Sequence, residues 1–519
     1  MHFLKRSVTF QPALIAAVVI CGALIPTPAY GMSPMAMNPH IGESPQNQVK
    51  VKPCSGAGRW FPATAAELKE EVDRFLSVDT PTIPEQPIAL IVPHAGYSFS
   101  GTVAGTAYAT LKGRSIKRVI LLGLSHGARL QGASVLRMDA YETPLGLIPV
   151  DLEARDALLD CPVVKEQPAA HREEHSVENQ LPFLQRVLDD FSMVEVLVGE
   201  LSEKQRSRLA AVLRDFLDDE TLLVVSTDFT HYGPNFMYVP FREPVQNNLS
   251  ALNDMAVQEI LQVDVPGWDD YIKETQDTIC GRNAVGLLLE VLQPLDDAQG
   301  LRVAFDTSGR MTGDWTNSVT YASIVFWREG EGLSEAERQV LLKLARDTVT
   351  SYLKEGHQSE VKEGEYNLTP RLRAPGAAFV TLRNEGRLRG CIGHVIAIVP
   401  LYQSVAQNAV QACRDPRFTA APVTGAEEPE LSIEISVLTT MRRLLDPRKV
   451  EVGRDGLMMV RGRMQGLLLP QVPVEQSWDR EEFLAQTCYK AGLQLDAWRD
   501  SQTEIYRFSA QVFGEEKHH

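Results

Sequence analysis

The sequence predicts an α/β domain built on a largely parallel sheet, followed by a smaller α+β domain. Length is the first reason, because 519 residues exceed what one hydrophobic core usually supports. The second is a series of short, uninterrupted apolar runs between about residues 85 and 327. Amphipathic stretches separate them, as expected for strands covered by helices on both faces. The third is a break at "WREGEGLSEAERQ", beyond which the patterning changes.

The N-terminus stands apart. His2, Lys5 and Arg6 precede the apolar run Ala13–Ile25, which is too short to span a bilayer comfortably. Thr27 and Ala29 in "PTPAYG" then supply small residues for a cleavage site. Residues 1–31 therefore have the layout of a secretory signal, which predicts export to the periplasm or outside. An uncleaved N-terminal anchor is the alternative. Residues 32–50 read as a flexible lead-in. The net charge of −16 and the absence of a Lys/Arg-dense stretch argue against a nucleic-acid binder. No stable membrane span is expected in the mature chain. Six cysteines remain after the signal: 54, 161, 280, 391, 413 and 488. Their scatter is unlike that of a small disulfide scaffold, although export would permit disulfides.

Four apolar runs read as buried strands: Ile88–Val92, Val119–Leu122, Val194–Val198 and Leu222–Val225. In "SVENQLPFLQRVL", Val177, Leu181, Leu184 and Leu188 fall at helical spacing, and Ser176 reads as the N-cap. Gly330 and Gly332 close the first domain, predicted over residues 51–330. Ser334 and Glu337 form a capping box that opens the second, predicted over 333–515. There "AAFVTLRNEGRLRGCIG" predicts a hairpin turning at Asn384–Gly386, and "LSIEISVLT" an alternating strand. Pro400 opens one helix and Gly492 closes another.

The residues just past the strands carry the chemistry. Ile88–Val92 runs into Pro93-His94, Val119–Leu122 into Ser125-His126, and Leu222–Val225 into Asp228 and His231. Ligands of open α/β sheets bind outside the carboxyl ends of the strands. Histidine is both the commonest metal ligand and the usual base near neutral pH. A metal needs more than two imidazoles, and Cys280, just before a helix, is one candidate, since a helix N-terminus favours a thiolate. A buried, inert cysteine is the equal alternative. "HREEH", His171–His175, matches a zinc-peptidase pattern, but Pro168 and Ser176 place His171 off the helix that the pattern needs. Zinc-dependent hydrolysis stays as an alternative function, as does a non-catalytic metal- or peptide-binding module.

The stretches "PHAGYSFSG", "LLGLSHG", "EEHSVENQLPFLQ", "STDFTHYG" and "TICGRNAVGLLL" together resemble the Memo family. "FVTLRNEGRLRGCIG", "DPRF", "LSIEISVLT" and "GLLLPQVPVEQSWDREEFL" resemble the AMMECR family. The chain is thus similar to the A and B components of the AmmeMemoRadiSam system joined in one polypeptide, which implies a functional link to a radical-SAM protein. The resemblance implies an αβα sandwich like the catalytic subunit of class III extradiol dioxygenases. Those enzymes bind Fe(II) through two histidines and a glutamate.

Carried onto this chain, the implied metal ligands are His94, His126 and Cys280, with the cysteine in place of the glutamate. His175, Asp228 and His231 match the remaining polar positions, with His231 as a proton shuttle and Asp228 orienting a histidine or a water. The implied cofactor is Fe(II), with copper or zinc also suited to a thiolate. The implied function is mononuclear non-haem redox chemistry on a small-molecule or peptide substrate. Asn283 stands where some relatives have histidine. In the second domain Arg389, Gly390, Cys391, Gly393, Asp415 and Arg417 form a candidate ligand site, with His394 a possible base. The alternative there is a tight hairpin packed on the helix after Pro400.

Overall fold

A computed structural model describes residues 49–515, apart from 331, 359 and 398. The signal-like segment lies outside the described residues. Among those residues, no helix is long and apolar enough to cross a membrane, and all six cysteines are free.

The first domain is an αβα sandwich around a nine-stranded sheet. Across it run His231–Tyr232, Ser318–Arg328, Pro87–Val92, Thr221–Ser226, Arg118–Gly123, Ser192–Val198, Ala133–Ser134 and Val164–Lys165. Ala298–Thr307 also pairs with Ser318–Arg328. The four strands read from the apolar runs are the central, mutually parallel ones. Each is buried on both faces because alternate residues enter different cores. Ala89 and Ile91 pack with the helices Glu203–Arg214, Val245–Leu261 and Arg282–Leu292. Leu90 and Val92 pack with Phe75, Tyr97, Tyr108 and Phe183 on the other side.

The helix expected from Ser176 to Leu188 is broken in two. Turns His175–Glu178 and Leu181–Val187 flank Asn179 and Gln180. The apolar face persists, but Asn179 donates to His94 O at 2.6 Å and Gln180 to Pro93 O at 3.0 Å. Both side chains serve the sheet edge instead of a continuous helix, and Pro182 offers no N–H to continue one. The N-cap is Glu174, whose carboxylate accepts Ser176 N at 2.8 Å, so Ser176 falls inside the turn.

The second domain opens with the expected capping box at Ser334 and Glu337. It holds two four-stranded sheets. One packs beneath helices Glu335–Glu355 and Leu401–Cys413, the other against Arg480–Lys490. The hairpin turns at Glu385 and Gly386, both with positive φ. Gly492 likewise takes positive φ beyond the Arg480–Lys490 helix.

The two domains meet through arginines. Arg371 pairs with Glu85 and Arg507 with Asp296, and Arg443 reaches Asp264 at 2.9 Å. Arg442 is buried. It donates to Leu295 O at 2.6 Å and also to Ala298 O. Beside Arg443 lies Glu259, which burial, and then the Asp264 carboxylate, push up to about 7 from 4.5; Glu504 and Asp270 add to this and Arg443 opposes it. Between those values the folded chain keeps a proton that the unfolded chain has lost. Stability therefore falls as pH rises through that window and stays lowered above it. Glu259→Gln is expected to raise the unfolding midpoint at pH 8 and to leave it nearly unchanged at pH 4.5. Chaotrope melts of the full chain at both pH values check this.

Candidate metal centre

Two strand ends each deliver a histidine held by a buried carboxylate. Pro93 ends the Pro87–Val92 strand, and the next two amides, His94 N and Ala95 N, donate to Asp228 Oδ1 at 2.8 and 3.2 Å. Asp228 itself follows the neighbouring Thr221–Ser226 strand, so adjacent strand ends are tied together. His126, after Arg118–Gly123, is held twice by Glu174. Its backbone N donates to Oε2 at 2.6 Å, and its Nδ1 lies 3.0 Å from Oε1. Burial alone would raise Glu174, but the bonds and charge of His126, with the Ser176 amide, outweigh it and hold the carboxyl near 2.

His175 opens the next helical turn and is clamped in a stack of rings. Trp60 lies on it at 3.8 Å and 7°, and His126 lies on its other side at 4.5 Å and 20°. Trp60 is positioned in turn by its carbonyl, which accepts Tyr97 N at 3.0 Å. The preceding loop is pinned by Glu178, which accepts Ser55 N and Gly56 N at 2.9 and 2.7 Å. Burial, then the neighbouring His94 and His126, push His175 down to about 4. His94 is likewise lowered, by burial first.

One donor atom from each of His94, His126 and His175 lies within 4.8 Å of the others. Cys280 stands beside this trio, its Sγ 3.3 Å from His94 Nε2. The cysteine approaches because Gly281 follows it: a Cβ there would come 2.5 Å from Thr227 Cβ. The Cys280 sulfur accepts Asp228 N at 3.2 Å. The expected thiolate is not favoured in the chain alone. Burial, then Asp228, push the thiol up to about 12, outweighing the helix N-terminus. Thus the third imidazole comes from His175, assigned from sequence only to the surrounding pocket, while Cys280 keeps contact with one histidine of the trio.

The other pocket positions divide. Asp228 is engaged by backbone amides and orients His94 from behind. His231 points Nδ1 at two carbonyls, Phe229 O at 2.9 Å and Thr278 O at 3.1 Å, so that nitrogen carries hydrogen. Asn283 sits half-buried in the first turn of Arg282–Leu292.

"HREEH" does not form a metal clamp. His171 ends the separate turn Pro168–His171, with Nε2 2.9 Å from Ser134 Oγ and Nδ1 3.3 Å from Glu195. Ser134, His171 and Glu195 follow the order of a hydrolytic triad. Ser134 is fully buried, however, and Glu195 is also held by Lys52 at 3.0 Å, so no substrate reaches the hydroxyl.

The second-domain set is gathered, but its charges are satisfied internally. Arg389 pairs with Glu427 at 2.8 Å, so its charge is already matched within the domain. Asp415 accepts Cys391 N at 2.9 Å and pairs with Arg417, which also donates to Cys391 O at 3.1 Å. A Cβ on Gly390 would sit 2.0 Å from Ala412 O, and one on Gly393 2.2 Å from the Phe379 ring. These glycines permit close packing of the hairpin. His394 turns to Ser404 Oγ at 3.0 Å.

In metal-free protein at pH 8, Cys280 is expected to alkylate about two to three orders of magnitude more slowly than an ordinary thiol. Asp228→Asn keeps an acceptor for the two amides but removes the charge, and is expected to speed labelling. Equal rates for the two proteins by mass spectrometry would contradict this electrostatic account.

The sequence profile of the Memo-like protein family matches residues 52–325, and that of AMMECR1 matches 342–513. MEMO1 of Xenopus laevis is 31% identical over 291 residues, covering 53% of this chain and 97% of that protein. A protein of Thermococcus gammatolerans is 44% identical over 189 residues, covering 34% of this chain and 90% of its own. The crystal structure of an uncharacterized Pyrococcus horikoshii protein is 43% identical, covers 34% of this chain and 90% of that one, and superposes with a TM-score of 0.32. With its sandwich domain matched nearly end to end, the chain belongs to the Memo-like protein family and carries an AMMECR1 domain behind it.

Proposed function

We propose that His94, His126 and His175 hold a single metal ion, Fe(II) before copper or zinc, and that the chain is a non-haem metal oxidoreductase acting on a small-molecule or peptide substrate. The observation that carries the reading is the convergence of three imidazole donors within 4.8 Å at the carboxyl edge of the sheet. The donor set fits such an ion. Burial first, and the other imidazoles after it, lower His94 and His175 and so favour the neutral form that ligates, with Asp228 opposing this. Glu174 and Asp228 lie behind the rings as carboxylates that would balance the ion's charge. Imidazole with a nearby thiol suits iron, copper and zinc better than magnesium or calcium.

When bound, the ion would supply Lewis-acid and one-electron chemistry. The chain's own residues supply the rest. Trp60 and His126 hold the His175 ring from both faces. Asp228 fixes the His94 backbone. His231, with Nδ1 tied to carbonyls, would take or return a proton at Nε2. Cys280 sits where its sulfur would either join the ligand set or shield one side of it.

Elemental analysis of anaerobically purified protein is expected to find about one transition metal per chain. His94→Ala, His126→Ala and His175→Ala should each abolish loading. Cys280→Ala should retain the ion and lose any thiolate-to-metal absorption band. Full loading in His175→Ala would sink the three-imidazole assignment. A loaded protein that consumes no oxygen with any substrate class tested would favour the non-catalytic binding module.

A further inference from the structure

We infer that a buried chain of hydrogen bonds, Tyr108 to Gln180 to Ser226, fixes His94 in the tautomer with hydrogen on Nδ1, so that Nε2 presents a lone pair to the site. Ser226 and Gln180 are thereby positioning residues that act through His94. The inference concerns the same centre as the proposed function, but the tautomer is a property of the metal-free chain.

The direction of every bond in the chain is set by what each atom can do. Pro93 O is a carbonyl and can only accept, so the Gln180 atom 3.0 Å from it is the amide nitrogen. That places Gln180 Oε1 toward Tyr108, whose hydroxyl donates to it at 3.0 Å. The same Gln180 nitrogen donates to Ser226 Oγ at 2.9 Å. Ser226 has one hydroxyl hydrogen, and a carbonyl that can only accept, Ser176 O, lies 2.5 Å from its oxygen. The hydrogen goes there, since otherwise two oxygens would face each other at that distance with nothing between them.

Ser226 Oγ therefore meets its third neighbour, His94 Nδ1 at 3.0 Å, as an acceptor. A bare Nδ1 would set lone pair against lone pair in a dry site, because Tyr108, Gln180 and Ser226 are fully buried and His94 is 2% exposed. The ring's other nitrogen faces Cys280 Sγ at 3.3 Å. Either the thiol sets the tautomer and the serine is incidental, or the serine sets it alone. The ordered chain favours the serine, because two groups of fixed polarity, the Gln180 amide nitrogen and the Ser176 carbonyl, meet at Ser226 whatever the thiol does.

The test uses the full chain, metal-free and reduced, labelled with 15N-histidine. Long-range proton–nitrogen correlation spectra are read with His94 signals identified by their loss in His94→Gln. His94 is expected to show hydrogen on Nδ1 and a bare Nε2 in the wild type, and still to do so in Cys280→Ala. Adding Ser226→Ala to Cys280→Ala is expected to give a mixture of tautomers. In titrations with Co(II), Ser226→Ala alone should bind about tenfold or more weakly than wild type. Hydrogen on Nε2 in the wild type would overturn the inference, as would a tautomer switch in Cys280→Ala. An unchanged Nδ1 hydrogen in the double variant would overturn it too. If Ser226→Ala fails to fold, the wild-type and Cys280→Ala spectra still decide. Absence of Co(II) binding by the wild type would count against the metal centre, with the tautomer result standing independently.

Discussion

Two buried carboxylates that accept backbone amides hold the strand-end region together. A parallel sheet leaves the amides just past its strands without sheet partners, and a buried amide left unpaired costs about 1–3 kcal/mol. Asp228 takes the amides of His94 and Ala95, and Glu174 takes those of His126 and Ser176. The same bonds that satisfy the backbone bring three imidazoles to one place. Geometry and stability at this edge therefore share one cause. That also explains how titratable groups can be packed so closely: the acids lie behind the rings, where they are matched by N–H donors.

Much of this was legible in the sequence, and for physical reasons. Strands covered on both faces must be apolar at every position, so Ile88–Val92, Val119–Leu122, Val194–Val198 and Leu222–Val225 stood out and proved central and parallel. Polar residues directly after such runs have to lie at the sheet edge, which located His94, His126 and Asp228. Capping rules found the helix start at Ser334. His175 was harder. Its place depends on Trp60, more than a hundred residues earlier, and on Glu178 pinning the loop that carries that ring. Periodicity reports nothing about such a contact. Ser226 and Gln180 were missed because each lies among residues already explained, one ending a strand and the other on an apolar helical pattern.

The second domain shows how chemistry-bearing residue types can be drawn into packing. Arg389, Asp415, Arg417 and Cys391 look like a site when read in line, yet in space each charge is answered by a neighbour and the glycines are filled by backbone and ring. The domain's more consequential arginines were not singled out from sequence. Arg442 and Arg443 sit in a short polar strand, and their targets, two carbonyls and Asp264, belong to the other domain. Burial holds Arg442 down to about 10, a sign of how fully the domain boundary is closed around it.

The ring stack has an optical corollary. The chain contains six tryptophans, and among the described residues Trp60 is the one whose indole lies flat against an imidazole of the trio. An ion seated there would be only one ring away from that fluorophore. The share of emission lost when Trp60 is replaced is thus a natural gauge of occupancy, readable without label or substrate.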